Sequence, residues 1–237
     1  SRCYNIMSQI YTVKRLDSMA FEWQLKEIEL TEKYDLENYN ISQTYSQISS
    51  YYINTNQPEK ALEALKKADA TAYSPTQKIS VQLEYVNYYS KFGDMQAAEK
   101  ILNECKTAFD QDKRLWSIKK RLYNIEYVYY LQSKQYPKAL EAAKKQEAEE
   151  LNLSESIQNS VHYLTKGKIY SNMGNMSEAI KYLQMYIEAE DSLKIANEQM
   201  ASSEFATLLE VEKINAEKKE LMLQAQEKEI RNKTTLI

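Results

Sequence analysis

The sequence predicts an all-α fold, a solenoid of about five stacked helix pairs followed by one long helix. Three observations carry that reading. A Tyr is followed nine residues later by an Ala in five places: Tyr11 and Ala20, Tyr52 and Ala61, Tyr89 and Ala98, Tyr130 and Ala139, Tyr170 and Ala179. The pairs recur at intervals of about 40 residues, a period that marks a helical array in which each unit buries its apolar face against its neighbours. Only 3 Gly and 3 Pro occur in 237 residues, which leaves the chain short of the turns that sheets require. Residues 192–233 contain neither Gly nor Pro and are rich in Glu, Lys, Gln and Leu, as one long helix would be.

Taken in order, the units fall at about 1–35, 42–75, 79–112, 120–153 and 160–193, with the long helix over 194–237. The first unit carries Tyr11 and Ala20 and little else of the pattern. The second adds Asn56 in the turn and Leu65 after the Ala; Pro58 stands just ahead of its second helix, where its missing N–H has no partner to lose. Pro75 reads as a break between units two and three. The third has Gly93 in the turn and Leu102 after the Ala. The fourth has Pro137 ahead of its second helix and Ala143 beyond Ala139. The fifth has Gly174 in the turn, Leu183 after the Ala, and Gly167 inside its first helix, where only close packing explains a glycine. Many of the 20 Tyr, among them Tyr45, Tyr85, Tyr123, Tyr127 and Tyr163, fall three, four or seven apart on first helices, the stripe of an amphipathic helix whose hydroxyls reach the rim.

Large, small and aromatic residues at these positions, clearest in Tyr163–Asp191, resemble the tetratricopeptide repeat. That resemblance implies a right-handed superhelix and a concave groove lined by first helices. The intervals here are longer than the family's period of about 34 residues. Carried over position by position, the groove residues that stand out are Gln43, Ser46 and Ser50, Asn87 and Lys91, Arg121 and Asn124, and Lys168 and Asn172, with the apolar Ile53 and Leu83 at matching positions. Amide side chains can bond both the N–H and C=O of an extended peptide. Arg121 and Lys168 suit a carboxylate. A protein or peptide ligand in the groove is the partner this implies; a merely hydrated groove, or one filled by the chain's own tail, is the plainer alternative.

The tail carries an imperfect heptad seam through Val211, Ile214, Lys218, Leu221 and Ala225. It reads either as a homodimeric coiled-coil stalk or as a capping helix that runs on into solvent. A repeat array followed by such a segment resembles the input region of Bacteroidetes-type membrane sensor histidine kinases and regulators. That likeness implies a periplasmic sensor region, with Thr234–Ile237 opening a membrane span and the output domain elsewhere. A scaffold or adaptor for protein–protein interaction in the cytoplasm is the alternative.

The net charge of −3 and the absence of a basic block argue against nucleic acid as a partner. No stretch of 18 apolar residues is present, so a membrane would be reached only through a further segment. Two cysteines in separate units, Cys3 and Cys105, make no disulfide framework. The single His162 has no ligand cluster around it in sequence, and three glycines cannot build a phosphate cradle. No catalytic residue, metal or cofactor is expected.

Overall fold

The computed structural model describes residues 2–14, 16–34, 39–150 and 155–234. It is all-α, and its helices alternate as five antiparallel pairs. These are α1 (Arg2–Val13) with α2 (Asp17–Lys33), α3 (Ile41–Asn54) with α4 (Pro58–Thr71), α5 (Pro75–Phe92) with α6 (Met95–Gln111), α7 (Lys119–Gln132) with α8 (Tyr136–Glu150), and α9 (Glu155–Asn172) with α10 (Met176–Thr234). Within the array α3 packs on α5 and α5 on α7, and each second helix also touches the first helix that follows it.

The nine-residue interval from Tyr to Ala is a consequence of backbone hydrogen bonding. In four units the Tyr carbonyl accepts the N–H five residues on, from Leu16, Gln57, Gln135 and Asn175. Each of those residues caps the next helix, and its carbonyl accepts the N–H four residues further, that of Ala20, Ala61, Ala139 or Ala179. In unit three Asp94 holds the same place and bonds Ala98, while Gly93 closes the turn on Tyr89. Five residues of Schellman-type turn and four of helical turn therefore fix the spacing. All five alanines are buried, because a larger side chain there would hold the paired helices apart. The five tyrosines are half-buried.

The turn needs one left-handed residue. Asn56, Gly93, Lys134 and Gly174 supply it, with φ of 57°, 98°, 59° and 76°. Lys134 is the costly one, since that region costs an L-residue with a long side chain roughly 1–2 kcal/mol. Glycine relieves this and gives back about 0.5–1 kcal/mol in chain entropy. Lys134→Gly is thus expected to raise stability by about 0.5–1 kcal/mol. Thermal melting checks it, and an unchanged or lower midpoint contradicts the reading.

Two details differ from the sequence reading. Pro75 does not separate units: it is the first residue of α5, ahead of which Ser74 and Gln77 form a capping box. A 3-10 helix, Lys113–Ile118, fills the link between α6 and α7, capped by the Asp112 carboxylate and pinned by the buried Leu115. Gly167 faces Leu183 of α10; a Cβ built there would lie 2.8 Å from Leu183 Cδ2, the close packing the sequence implied.

Each joint between units uses the same register. The residue eight beyond the repeated Ala meets the residue four before the next repeated Tyr. At the first joint Ile28 and Ile48 share a core with Tyr45. At the second, burial first and then the Asp69 carboxylate raise the Tyr85 hydroxyl above its usual range. At the third, Lys106 Nζ lies 2.8 Å from the buried Glu126. At the fourth, Lys166 Nζ lies 2.6 Å from Glu147. A second pairing joins the residue after the Ala to the residue before the next Tyr. Phe21 stacks on Tyr51 with centroids 4.0 Å apart. Glu99, after burial, helps to raise the Tyr129 hydroxyl. Leu140 packs in the cluster of Ile169.

The second helix of unit five does not stop where the repeat pattern does. α10 is continuous for 59 residues, about 88 Å at 1.5 Å per residue. Ile214 and Lys218 of the heptad seam are exposed on it. The side chains of Val211, Leu221 and Ala225, and residues 235–237, lie outside the described residues.

Candidate functional site

The first helices of units two to four and the end of the 3-10 helix enclose a pocket of about 170 Å³, lined by Ser42, Gln43, Ser46, Thr76, Gln77, Ser80, Ile118 and Arg121. Helical spacing explains why these residues meet. Ser42, Gln43 and Ser46 lie on one stripe of α3, Thr76, Gln77 and Ser80 on one stripe of α5, and α7 enters beside them with Arg121 in its first turn. Small hydroxyl residues leave the volume open. The Ser42 Oγ donates to the Ala68 carbonyl at 2.8 Å and the Ser46 Oγ to the Ser42 carbonyl at 3.0 Å, so both are satisfied without a ligand. Gln77 is held in a capping role and reaches the Tyr39 carbonyl at 2.7 Å. Gln43 is exposed at the rim.

Behind the pocket lies a buried carboxylate. Glu84 of α5 is 3 % exposed. It accepts from Ser50 Oγ of α3 at 2.6 Å, from Asn87 Nδ2 at 2.8 Å and from Arg121 Nη2 of α7 at 2.8 Å. Three of the nine residues expected to face a ligand are therefore gathered in space, around an internal charge. Ser50 and Asn87 are spent on Glu84. Arg121, whose side chain is 31 % exposed, joins the Glu84 network to the pocket wall. Its charge is compensated by Glu84, so what it offers a ligand is its remaining N–H donors. That favours carbonyl groups over a carboxylate.

The other expected residues are distributed differently. Gln43 and Ser46 line the pocket, Ser46 as part of its buried floor. Lys91, Asn124, Lys168 and Asn172 are exposed and lie outside it. Asn172 bonds the Lys168 carbonyl of its own helix at 2.8 Å. Ile53 and Leu83, at matching positions of the carried-over pattern, are core residues. Glu84 was missed. Its signal was a lone charge five residues before the repeated Tyr, where the other units have Ile6, Gln47, Ile125 and Thr165.

The groups with chemical potential are tied up in structure. Burial, then the Glu104 charge, pushes the Cys105 thiol up to about 12, so it remains protonated and inert. His162 is buried in α9. Among the described residues no group of three or more His, Cys, Asp or Glu could hold a metal ion.

Fold and repeat geometry define a tetratricopeptide-type helical array, and a tetratricopeptide repeat model matches residues 163–192. Over residues 12–145, more than half its length, the chain belongs to the family described as 26S proteasome subunit RPN7. The two matches fall within one helical array and indicate a protein–protein interaction scaffold. Among solved structures it is similar to two crystal structures of MamA, each 19 % identical. One alignment covers 78 % of this chain and 95 % of that one with a TM-score of 0.41. The other covers 80 % and 91 % with a TM-score of 0.40. No curated protein matches the chain.

The periplasmic placement expected from the tail is corrected by this result. The array matches a proteasome-subunit family, not a receptor input region. The likeness to a membrane sensor rested on a repeat array followed by a charged helix, a layout that does not depend on compartment. Among the described residues no helix is long and apolar enough to cross a membrane.

Proposed function

We propose that this chain is an adaptor that docks an extended segment of a partner protein across the first helices of units two to four. The observation that carries the reading is the hydroxyl- and amide-lined pocket between α3, α5 and α7, with the spare donors of Arg121 at its edge. Such a lining suits backbone carbonyl and N–H groups, which every extended segment presents at regular intervals. Family membership supports the same reading, because matching arrays are scaffolds. No residue in this role performs a reaction.

The reading is tested with a displayed library of random extended peptides selected on the chain. Gln43 is exposed at the pocket rim, so Gln43→Trp narrows the pocket without disturbing the core. Selected peptides are expected to lose at least about tenfold in affinity, some 1.4 kcal/mol, on that substitution. They are expected to keep affinity on a matched substitution at the exposed Lys100 of α6. Peptides indifferent to Gln43→Trp would place binding elsewhere.

A further inference from the structure

A second pocket, of about 360 Å³, opens at the joint between units one and two, where α2 and the C-terminal half of α3 meet the end of α1. Comparison with the other joints shows why it is open. Four residues after the repeated Ala, units two, three and four bury the apolar Leu65, Leu102 and Ala143. Unit one has Gln24 there, 5 % exposed. Three residues after the repeated Tyr, the second joint has Phe92, packed on Tyr88 with ring centroids 4.9 Å apart. The first joint has Thr55, exposed, in the wall beside Tyr51. A polar residue thus stands where the other units are apolar, and a small one stands where a ring closes the space.

A buried amide costs free energy unless its polar atoms are bonded. Gln24 Nε2 donates to Gln47 Oε1 at 3.1 Å, which leaves the Gln24 carbonyl oxygen as an acceptor at the buried end of the pocket. One wall is apolar, made by Ala20 and by Phe21 and Tyr51, whose rings stack with centroids 4.0 Å apart. Among the described residues of the lining Asp17 alone carries a charge, and it is exposed at the mouth. Asp17, Ala20, Phe21 and Gln24 form one stripe of α2, so charge, ring wall and buried acceptor succeed one another along the pocket. We propose that this pocket takes the side chain of an arginine presented by a partner protein. The methylene stem packs on the rings, as long cationic side chains do on apolar surface. The guanidinium brings five donors and no acceptor to a lining whose charge and buried unmet group both accept. Its flat face suits the ring wall, whereas a lysine ammonium is a compact, strongly hydrated point charge. An anion would meet the Asp17 carboxylate. This site is distinct from the pocket of α3, α5 and α7 and does not require docking there.

The test is a titration of residues 1–237 with N-acetylarginine methylamide, an arginine as a peptide presents it, followed by NMR of the side-chain amides of Gln24 and Gln47. Saturable shifts of both are expected. The citrulline counterpart has the same shape without the charge and is expected to bind at least about tenfold more weakly; the lysine counterpart is expected to bind more weakly than arginine. Two substitutions at exposed positions locate the site. Asp17→Asn is expected to weaken arginine binding at least about tenfold and to erase the preference over citrulline. Thr55→Phe supplies the ring that closes the second joint and is expected to abolish binding; should it fail to fold by circular dichroism, Asp17→Asn decides alone. Citrulline or lysine binding as tightly as arginine overturns the proposal. So do shifts that never saturate, and so does arginine binding that is unchanged in Asp17→Asn or in a folded Thr55→Phe.

Discussion

Arg121→Met is expected to lower stability by about 3 kcal/mol, whereas Glu84→Gln should cost about 1 kcal/mol. The asymmetry follows from where each charge sits. Glu84 is 3 % exposed and cannot reach water if its partner is removed. An uncompensated buried carboxylate of this kind costs about 3–5 kcal/mol, and the figure is set at the low end because Ser50 and Asn87 still donate to it. Arg121 has a side chain 31 % exposed and can turn to solvent when position 84 is neutral. The double variant should recover about 2 kcal/mol of the loss in Arg121→Met, since the amide that replaces the Glu84 carboxylate keeps two polar neighbours and carries no charge. At roughly 2–4 °C per kcal/mol for a chain of this size, the single loss is about 10 °C in the melting midpoint. Equal costs for the two single variants, or strict additivity in the double, would mean that the pair is a surface contact. Because three first helices, α3, α5 and α7, meet at Glu84, the loss should spread over units two to four as faster amide exchange.

The same residues show how far the sequence could be read. Tyr11 to Ala20 and its four counterparts were legible because a backbone turn of fixed length writes itself into any sequence that adopts it, whatever the neighbouring units contain. Gly167 was legible because a helix tolerates glycine only for a reason, here Leu183. The ligand-facing residues were less so. Position-by-position transfer marks which side chains point along the groove, yet Ser50 and Asn87 point along it toward Glu84. Whether a polar groove residue serves a ligand or a buried charge depends on a third residue from another unit, and a repeat pattern carries no record of that. Lys134 shows the reverse. Its φ of 59° comes from the shared turn, and nothing in its identity announces it.

The joints extend that point. One register holds at all four, but its chemistry alternates between an apolar pair, a carboxylate beside a tyrosine and two ion pairs of opposite sense. Swapping neighbours would place Lys106 against Lys166 or Glu147 against Glu126, so the order of units is enforced by charge as well as by covalent sequence.

Gly167→Val is expected to cost about 2 kcal/mol, with the damage confined to unit five. A Cβ at 167 would lie 2.8 Å from Leu183 Cδ2 and 2.9 Å from Cγ, inside any acceptable contact, and overpacking of this kind costs about 1–3 kcal/mol. A single methyl already has two opposed effects. Replacing a mid-helix glycine by Ala removes about 1 kcal/mol of chain entropy cost, while the clash makes the half-buried Leu183 turn aside. Gly167→Ala should therefore sit near zero, and a full gain of about 1 kcal/mol would show that the space is not tight. Valine adds two more carbons and a stiff χ1, so α9 and α10 must part. Leu183→Ala in the same chain should return much of the loss, since it removes the two atoms that are struck. Additive effects of the two substitutions would disprove the contact. In an array each unit leans only on its neighbours, and among the described residues α10 packs chiefly on α9. Faster amide exchange should appear in α9 and the first turns of α10, while α3 to α6 remain protected. Damage reaching α3 would show that the array melts as one body, and that its long last helix is a structural keystone for every unit before it.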